Sequence, residues 1–184
     1  MYDLTKIDRA VRESNQSRSI NIPAENRAIL LDLSSSMLDM DAGERYGDIS
    51  RYDRLVEIVA DFPDERKFGF NYSAFEIPKG TQIPQPCGGT SLAKALLHLD
   101  QVGIYHIILI SDGQPQDKPG CIQLAANFEK IDVIYAGPQP APPFLKEFAD
   151  AASGQYYDCS FNLPKQLTQA VSGLLTAPKK AIQL

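Results

Sequence analysis

The sequence predicts an α/β protein, with a doubly wound, mostly parallel central sheet, helices on both faces and a possible short antiparallel edge strand. Three observations carry this. Short apolar runs of strand length, at 28–33, 104–110 and 131–136, alternate with longer stretches whose apolar residues recur at helical spacing. The 104–110 run is apolar on both of its alternating sets, as a central strand covered on both faces must be. The helical stretches also open and close on capping signals.

Residues 1–26 stand apart as an arm or linker. Leu4, Ile7 and Val11 fall at helical spacing, and a polar run follows at 14–19, which suits either a docking helix on a flexible arm or a frayed terminus. The domain proper is expected over 27–177, with a tail at 178–184. Its first strand, 28–33, leads to a helix beginning near Ser50, where Ser50-Arg51-Tyr52-Asp53 has the form of a capping box. Leu55, Val56, Ile58, Val59 and Phe62 form that helix's buried face. Residues 68–75 read as one strand with Phe68, Phe70 and Tyr72 on one side, and 77–89 as a Pro/Gly-rich loop with room for an edge strand.

A helix from Ser91 buries Leu92, Ala95, Leu96 and Leu99 and stops near Gly103. After the 104–110 strand comes a helix carrying Ile122, Ala125, Ala126 and Phe128, then the 131–136 strand. A helix over 143–152, closed by Gly154, leads to a strand at 155–159. Asn162-Leu163-Pro164 opens the last helix, with Leu167, Ala170, Val171, Leu174 and Leu175 inward.

At 184 residues the chain fits one domain. Its 43% hydrophobic and 22% charged residues are ordinary for a globular protein, and no window approaches the ~20 apolar residues of a membrane span. No membrane partner is expected. The polar stretch 1–26 lacks the apolar run of a secretory signal, so a cytoplasmic location is expected. A net charge of -5 argues against non-specific nucleic-acid binding, which needs a basic surface. Three cysteines without C-x-x-C spacing signal neither a disulfide framework nor a zinc site, so free thiols are expected.

Chemistry concentrates at strand ends. Asp32-Leu33-Ser34-Ser35-Ser36 follows the first apolar run, and side chains two apart on extended chain point the same way. Asp32, Ser34 and Ser36 can therefore converge. By itself the run would serve equally as a helix-capping cluster. Cys87-Gly88-Gly89-Thr90 ahead of one helix and Ser111-Asp112-Gly113 after a central strand can add a hydroxyl and a second carboxylate. Such sheets bind ligands in the crevice beyond the carboxyl ends of their strands. Gly88, Gly89 and Gly113 are expected to permit tight backbone turns there. Met37, Leu38 and Met40 could supply an apolar rim, made acidic by Asp39, Asp41, Glu44 and Asp48, unless that loop is simply solvated. His98 and His106 lack partners at ligand spacing and read as structural.

Taken together, Asp32-x-Ser34-x-Ser36, Thr90 in Gly88-Gly89-Thr90, and Asp112-Gly113 resemble the metal-ion-dependent adhesion site (MIDAS) of von Willebrand factor type A domains, with element order matching over about 27–175. The resemblance implies a Rossmann-like fold of the small, stand-alone bacterial type. It implies that Ser34 and Ser36 bind a divalent cation through their hydroxyls. Thr90 would bind directly or through water, and Asp32 and Asp112 largely through bound waters. Oxygen ligands suit Mg²⁺ first, with Mn²⁺ or Ca²⁺ as alternatives. The family uses such a site to capture an acidic side chain of a protein partner, with no catalysis, and analogy suggests an ATPase or a stress-response complex. The alternative is a Mg²⁺-dependent phosphohydrolase of Rossmann-like fold. Such enzymes need a second acid, as D-x-D, where this sequence has Ser34, and Lys94 is the only nearby lysine for a phosphate.

Overall fold

The computed structural model describes residues 26–40, 49–138, 140–159 and 164–176. Residues 1–25 of the expected 1–26 arm, the acidic rim positions Asp41, Glu44 and Asp48, the Asn162 cap, residue 177 and the expected tail at 178–184 lie outside them. Among the described residues strand and helix alternate: β1 (Arg27–Asp32), a 3₁₀ turn (Ser35–Leu38), α1 (Arg51–Ala60), β2 (Lys67–Phe70), β3 (Ala74–Ile77), α2 (Leu92–Gln101), β4 (His106–Ser111), α3 (Lys118–Ala125), β5 (Lys130–Tyr135), α4 (Pro143–Ala151), β6 (Tyr156–Asp158) and α5 (Pro164–Thr176). The sheet runs β3-β2-β1-β4-β5-β6, parallel throughout except for the β2–β3 pair. It is a Rossmann-like, doubly wound architecture, as the sequence predicts.

Each strand's alternation divides the core. Ala28, Leu30, Ile107, Leu109, Ile131 and Val133 face α2, α3 and α4, whose Leu96, Cys121 and Phe148 are wholly buried. Ile29, Leu31, Ile108, Ile110 and Ile134 face the other way, onto Leu55 and Ile58 of α1 and Val171 of α5. Each fully buried Leu or Ile contributes roughly 1.5–3 kcal/mol. Stability therefore resides in the two apolar faces, which leaves the polar strand ends open to other uses.

Local signals behave as their chemistry requires. Ser50 and Asp53 form the capping box of α1, each side chain taking the other's backbone N–H. Gly103 ends the α2 segment at a φ of 76°. Two expectations are corrected. The 68–75 segment is a hairpin, because Asn71-Tyr72-Ser73 turn the chain: the Asn71 and Ser73 backbones bond across the turn. Tyr72 is accordingly exposed rather than aligned with the buried Phe68 and Phe70. The antiparallel edge strand exists, but it is β3, immediately before the Pro/Gly-rich loop.

At the amino ends of β4 and β5 lies a polar cluster that spacing alone did not reveal. The buried Asp132 carboxylate accepts from Lys130 Nζ at 2.7 Å and the Gln155 N–H at 2.8 Å, and its Oδ2 lies 3.0 Å from His106 Nε2. His106 is thus structural, as expected, with its partner 26 residues away. His98 packs edge-on against the Phe68 ring. All three cysteines are free thiols, Cys87 exposed and the other two buried. No helix among the described residues is long and apolar enough to cross a membrane.

Backbone closeness is tightest behind β5, where a Cβ on Gly154 would lie 1.7 Å from the Ile131 carbonyl oxygen. Gly154→Ala is expected to destabilise the protein by about 3 kcal/mol through forced backbone shifts. Gly113→Ala, with open space around its Cβ position, is expected to stay within ~0.5 kcal/mol of wild type. Chemical denaturation of the two variants measures both.

Candidate metal centre

The chain winds outward from β1 to β3 on one side and from β4 to β6 on the other, so strand order reverses between β1 and β4. A crevice opens at such a switch point, beyond the carboxyl ends. Asp32 is the last residue of β1, and Asp112 directly follows β4. Parallel pairing of Leu31 with Ile110 sets the two ends side by side.

A chain of short contacts links the oxygens. Asp32 Oδ1 accepts the Ser34 N–H at 2.9 Å, and its Oδ2 accepts the Ser111 hydroxyl at 2.6 Å. The Ser34 and Ser36 hydroxyl oxygens lie 3.1 Å apart. Ser36 Oγ in turn donates to Asp112 Oδ1 at 3.0 Å. Four of the five residues singled out from the sequence are thereby brought together.

Thr90 is not among them: main-chain hydrogen bonds tie its loop to theirs, but among the described residues no contact joins its hydroxyl to those oxygens. The Cys87 N–H donates to the Leu33 carbonyl at 2.9 Å, and the Ser35 N–H to the Gly88 carbonyl at 3.0 Å. The Gln116 N–H bonds the Thr90 carbonyl at 3.3 Å, tying the glycine loop to the segment after β4. Gly88 takes a φ of +77°, and the Tyr72 ring lies where Cβ atoms on Gly88 or Gly89 would be, at 2.4 and 2.9 Å. Gly88 is therefore required, as expected, whereas Gly89 has no positive φ and would meet only the ring of the exposed Tyr72 and the end of the Gln116 side chain. Gly113 is not required: its φ is not positive and a Cβ there would meet nothing.

Two further residues belong to the cluster and escaped the sequence reading. Ser111 holds Asp32, as described. Arg51, in the first turn of α1 and 8% exposed, donates from Nη1 to Asp112 Oδ2 at 2.6 Å and to the Ser36 carbonyl at 3.1 Å. The one local sign of it is a cation at a helix start, where the macrodipole disfavours positive charge. On the rim, Leu38, Met40, Ile49 and Tyr72 are exposed, whereas Met37 is fully buried in the core beneath. That corrects the expectation that Met37 faces outward.

The donor set is oxygen throughout. Among the described residues no group of three or more His, Cys, Asp or Glu could hold a metal ion; the set here is two carboxylates with hydroxyls, oxygens of the kind that suit a hard cation. An octahedral ion with oxygens at about 2.1 Å spaces neighbouring ligands about 3.0 Å apart. The Ser34–Ser36 separation of 3.1 Å fits that spacing, while Ser36 and Asp112 at 3.0 Å make a hydrogen bond.

Set beside known proteins, the sequence matches no protein-family model and no curated protein. The fold does find likenesses. It is similar to proximal thread matrix protein 1 from the mussel byssus, with a TM-score of 0.58 at 16% identity, over 83% of this chain and 47% of that one. A second structure of that protein, with a zinc-occupied MIDAS motif, gives 0.56 at 17% identity, over 81% and 45%. The chain thus spans about half the length of these neighbours. At such identity the likeness establishes fold alone.

Electrostatics distinguish two of the buried aspartates, Asp32 and Asp132, at opposite ends of the sheet. Burial, and then the Asp112 charge, push Asp32 from its ordinary 3.8 up to about 6, against the opposing bonds from Ser111 and Ser34. Burial also pushes Asp132 up, but the His106, Lys130 and Gln155 bonds outweigh it and hold that carboxyl below its ordinary value. Asp32 takes up a proton on folding between pH ~4 and ~6, so stability in chelator falls as pH rises through that window and stays lower above it. Asp132 does the reverse: its stabilisation is complete above the ordinary carboxylate value and disappears as pH falls below it. In chelator at pH 7.5, Asp32→Asn is expected to stabilise the protein by about 3 kcal/mol, a gain absent near pH 4. Asp132→Asn is expected to cost about 2 kcal/mol at pH 7.5. Thermal unfolding of both variants across pH 4–8 checks the signs.

Proposed function

We propose that this protein is a cation-dependent interaction module, in which a divalent ion held by Asp32, Ser34, Ser36, Thr90 and Asp112 captures an Asp or Glu side chain of a protein partner. The observation that carries the proposal is the convergence of two carboxylates and several hydroxyls at the sheet's switch point, with the Ser34–Ser36 oxygen spacing suited to one small ion. Ser34 and Ser36 would hold the ion by their hydroxyls, Thr90 from the glycine loop, and the two aspartates largely through water. When bound, the ion supplies a positive centre for an incoming carboxylate, because few of its ligands are anionic.

The surroundings support a protein partner. Leu38 and Met40, which follow Ser36 in the chain, Ile49, just before Arg51, and Tyr72, whose ring lies against Gly88 and Gly89, are exposed apolar residues on the segments that carry the cluster, and apolar surface beside a polar contact is how interface hot spots are built. Position 34 is Ser, so the second acid of a D-x-D phosphohydrolase is missing, which favours binding over hydrolysis. Mg²⁺ is the proposed physiological ion, with Mn²⁺ or Ca²⁺ next; the zinc of the byssus protein belongs to that protein. We place the module in the cytoplasm, with an ATPase or stress-response assembly as the partner class.

Calorimetric titration tests the site. Wild type is expected to bind Mn²⁺, and Ser34→Ala, Ser36→Ala and Thr90→Ala to lose at least tenfold in affinity with unchanged circular dichroism, since the apolar core lies elsewhere. Affinity capture from cells is expected to retain partner only without chelator. Wild-type affinity in all three variants would overturn the assignment, as would robust Mg²⁺-dependent hydrolysis of an aryl phosphate abolished by Asp32→Asn.

A further inference from the structure

The sequence-predicted ligand set carries only negative charge, yet the structure seats a guanidinium in it. Arg51 Nη1 touches Asp112 Oδ2, while the other oxygen of the same carboxylate takes the Ser36 hydroxyl. The Asp112 side chain is fully buried and Arg51 nearly so. An arginine cannot discard its charge by losing a proton. Its position is fixed by the helix: the Ser50–Asp53 capping box starts α1, and the Arg51 N–H bonds the Asp39 carbonyl at 3.2 Å. At this first turn the helix macrodipole opposes a cation, and the long-range pair with Asp112 offsets that cost.

Charge then decides the consequence. Asp32, Asp112 and Arg51 together carry one net negative charge with both acids ionised; without Arg51 they carry two. A divalent ion entering the oxygen cluster meets a carboxylate already neutralised and a like charge beside it. Asp39 offers the guanidinium a second place to go, with its exposed carboxylate 3.8 Å from the same Nη1.

Resting on the metal-site reading above, we propose that Arg51 is a tethered competitor for the divalent cation. It neutralises Asp112 and, as a like charge beside the site, opposes an incoming divalent ion, with Asp39 a second carboxylate toward which it can turn. Arg51 thereby sets the ion concentration at which the site fills. A residue that merely positioned Asp112 for the ion would have the opposite effect when removed.

The experiment is Mn²⁺ titration by calorimetry on the full chain, for wild type, Arg51→Met, Arg51→Gln and Arg51→Lys, each also melted in chelator. Arg51→Met and Arg51→Gln are expected to bind Mn²⁺ about tenfold more tightly than wild type while melting lower in chelator, because Asp112 is left buried without its counter-charge. Arg51→Lys keeps the charge and is expected to stay within threefold of wild type. The glutamine variant retains a donor for the Ser36 carbonyl and decides the matter if the methionine variant does not fold. Binding by a neutral variant where wild type shows none would support the proposal most strongly. Equal or weaker binding in the neutral variants, with wild type binding, overturns the proposal and leaves the metal site standing. No binding by any of the four proteins overturns both.

Discussion

Two carboxylates lie at the same end of adjacent parallel strands, and most of the site follows from having to accommodate that charge. The β1–β4 pairing leaves Asp32 and Asp112 little choice of position, and burial of both removes the water that would otherwise screen them. What surrounds them is accordingly a collection of donors: the Ser34 N–H, the hydroxyls of Ser111 and Ser36, and the Arg51 guanidinium. The other buried aspartate of the sheet, Asp132, shows what full compensation looks like. With a lysine and a histidine on one oxygen and a backbone N–H on the other, it has no call for an outside cation. The Asp32 end is compensated only in part.

Placement and chemistry are divided between different parts of the chain. The apolar faces of the sheet fix the strand ends, and main-chain hydrogen bonds fix the loops above them. The oxygens inherit their positions. This explains how a cluster of small polar residues can hold a definite geometry without contributing to the core, and why the rim around it can be apolar without being drawn inward. Met37 and Leu38 illustrate the boundary: adjacent in sequence, one is sealed beneath the site and the other faces outward.

Much of this was legible in the residues. The two-sided apolar run before Ser111, the capping box at Ser50 and the glycine stop at Gly103 each depend on neighbours within a few positions, and each was read correctly. So was the convergence of Asp32, Ser34, Ser36 and Asp112, because strand ends and a doubly wound topology place them without needing side-chain detail. What escaped depends on distant partners. Arg51 meets Asp112 across 61 residues and His106 meets Asp132 across 26; no local pattern names either partner, and the misplaced charge of Arg51 at a helix start is the one hint of a distant contact. The hairpin at Asn71-Tyr72-Ser73 was missed for another reason. Alternating aromatics on both sides of the turn imitate one long strand, and the turn uses side-chain and backbone bonds rather than the Gly or Pro that would have announced it.

The loops around the ligands are joined by backbone atoms, and Ser35, Cys87 and Gln116, which supply those atoms, all direct their residues to solvent. The main-chain bonds do not depend on which side chain stands there, although Cys87 Sγ also accepts from Asn71 Nδ2 at 3.2 Å. A surface of this kind can diversify its chemistry position by position while the anchoring oxygens stay put, much as a fixed socket accepts many different faceplates. The exposed positions of these loops are thus open to redesign without removing the main-chain bonds that join them.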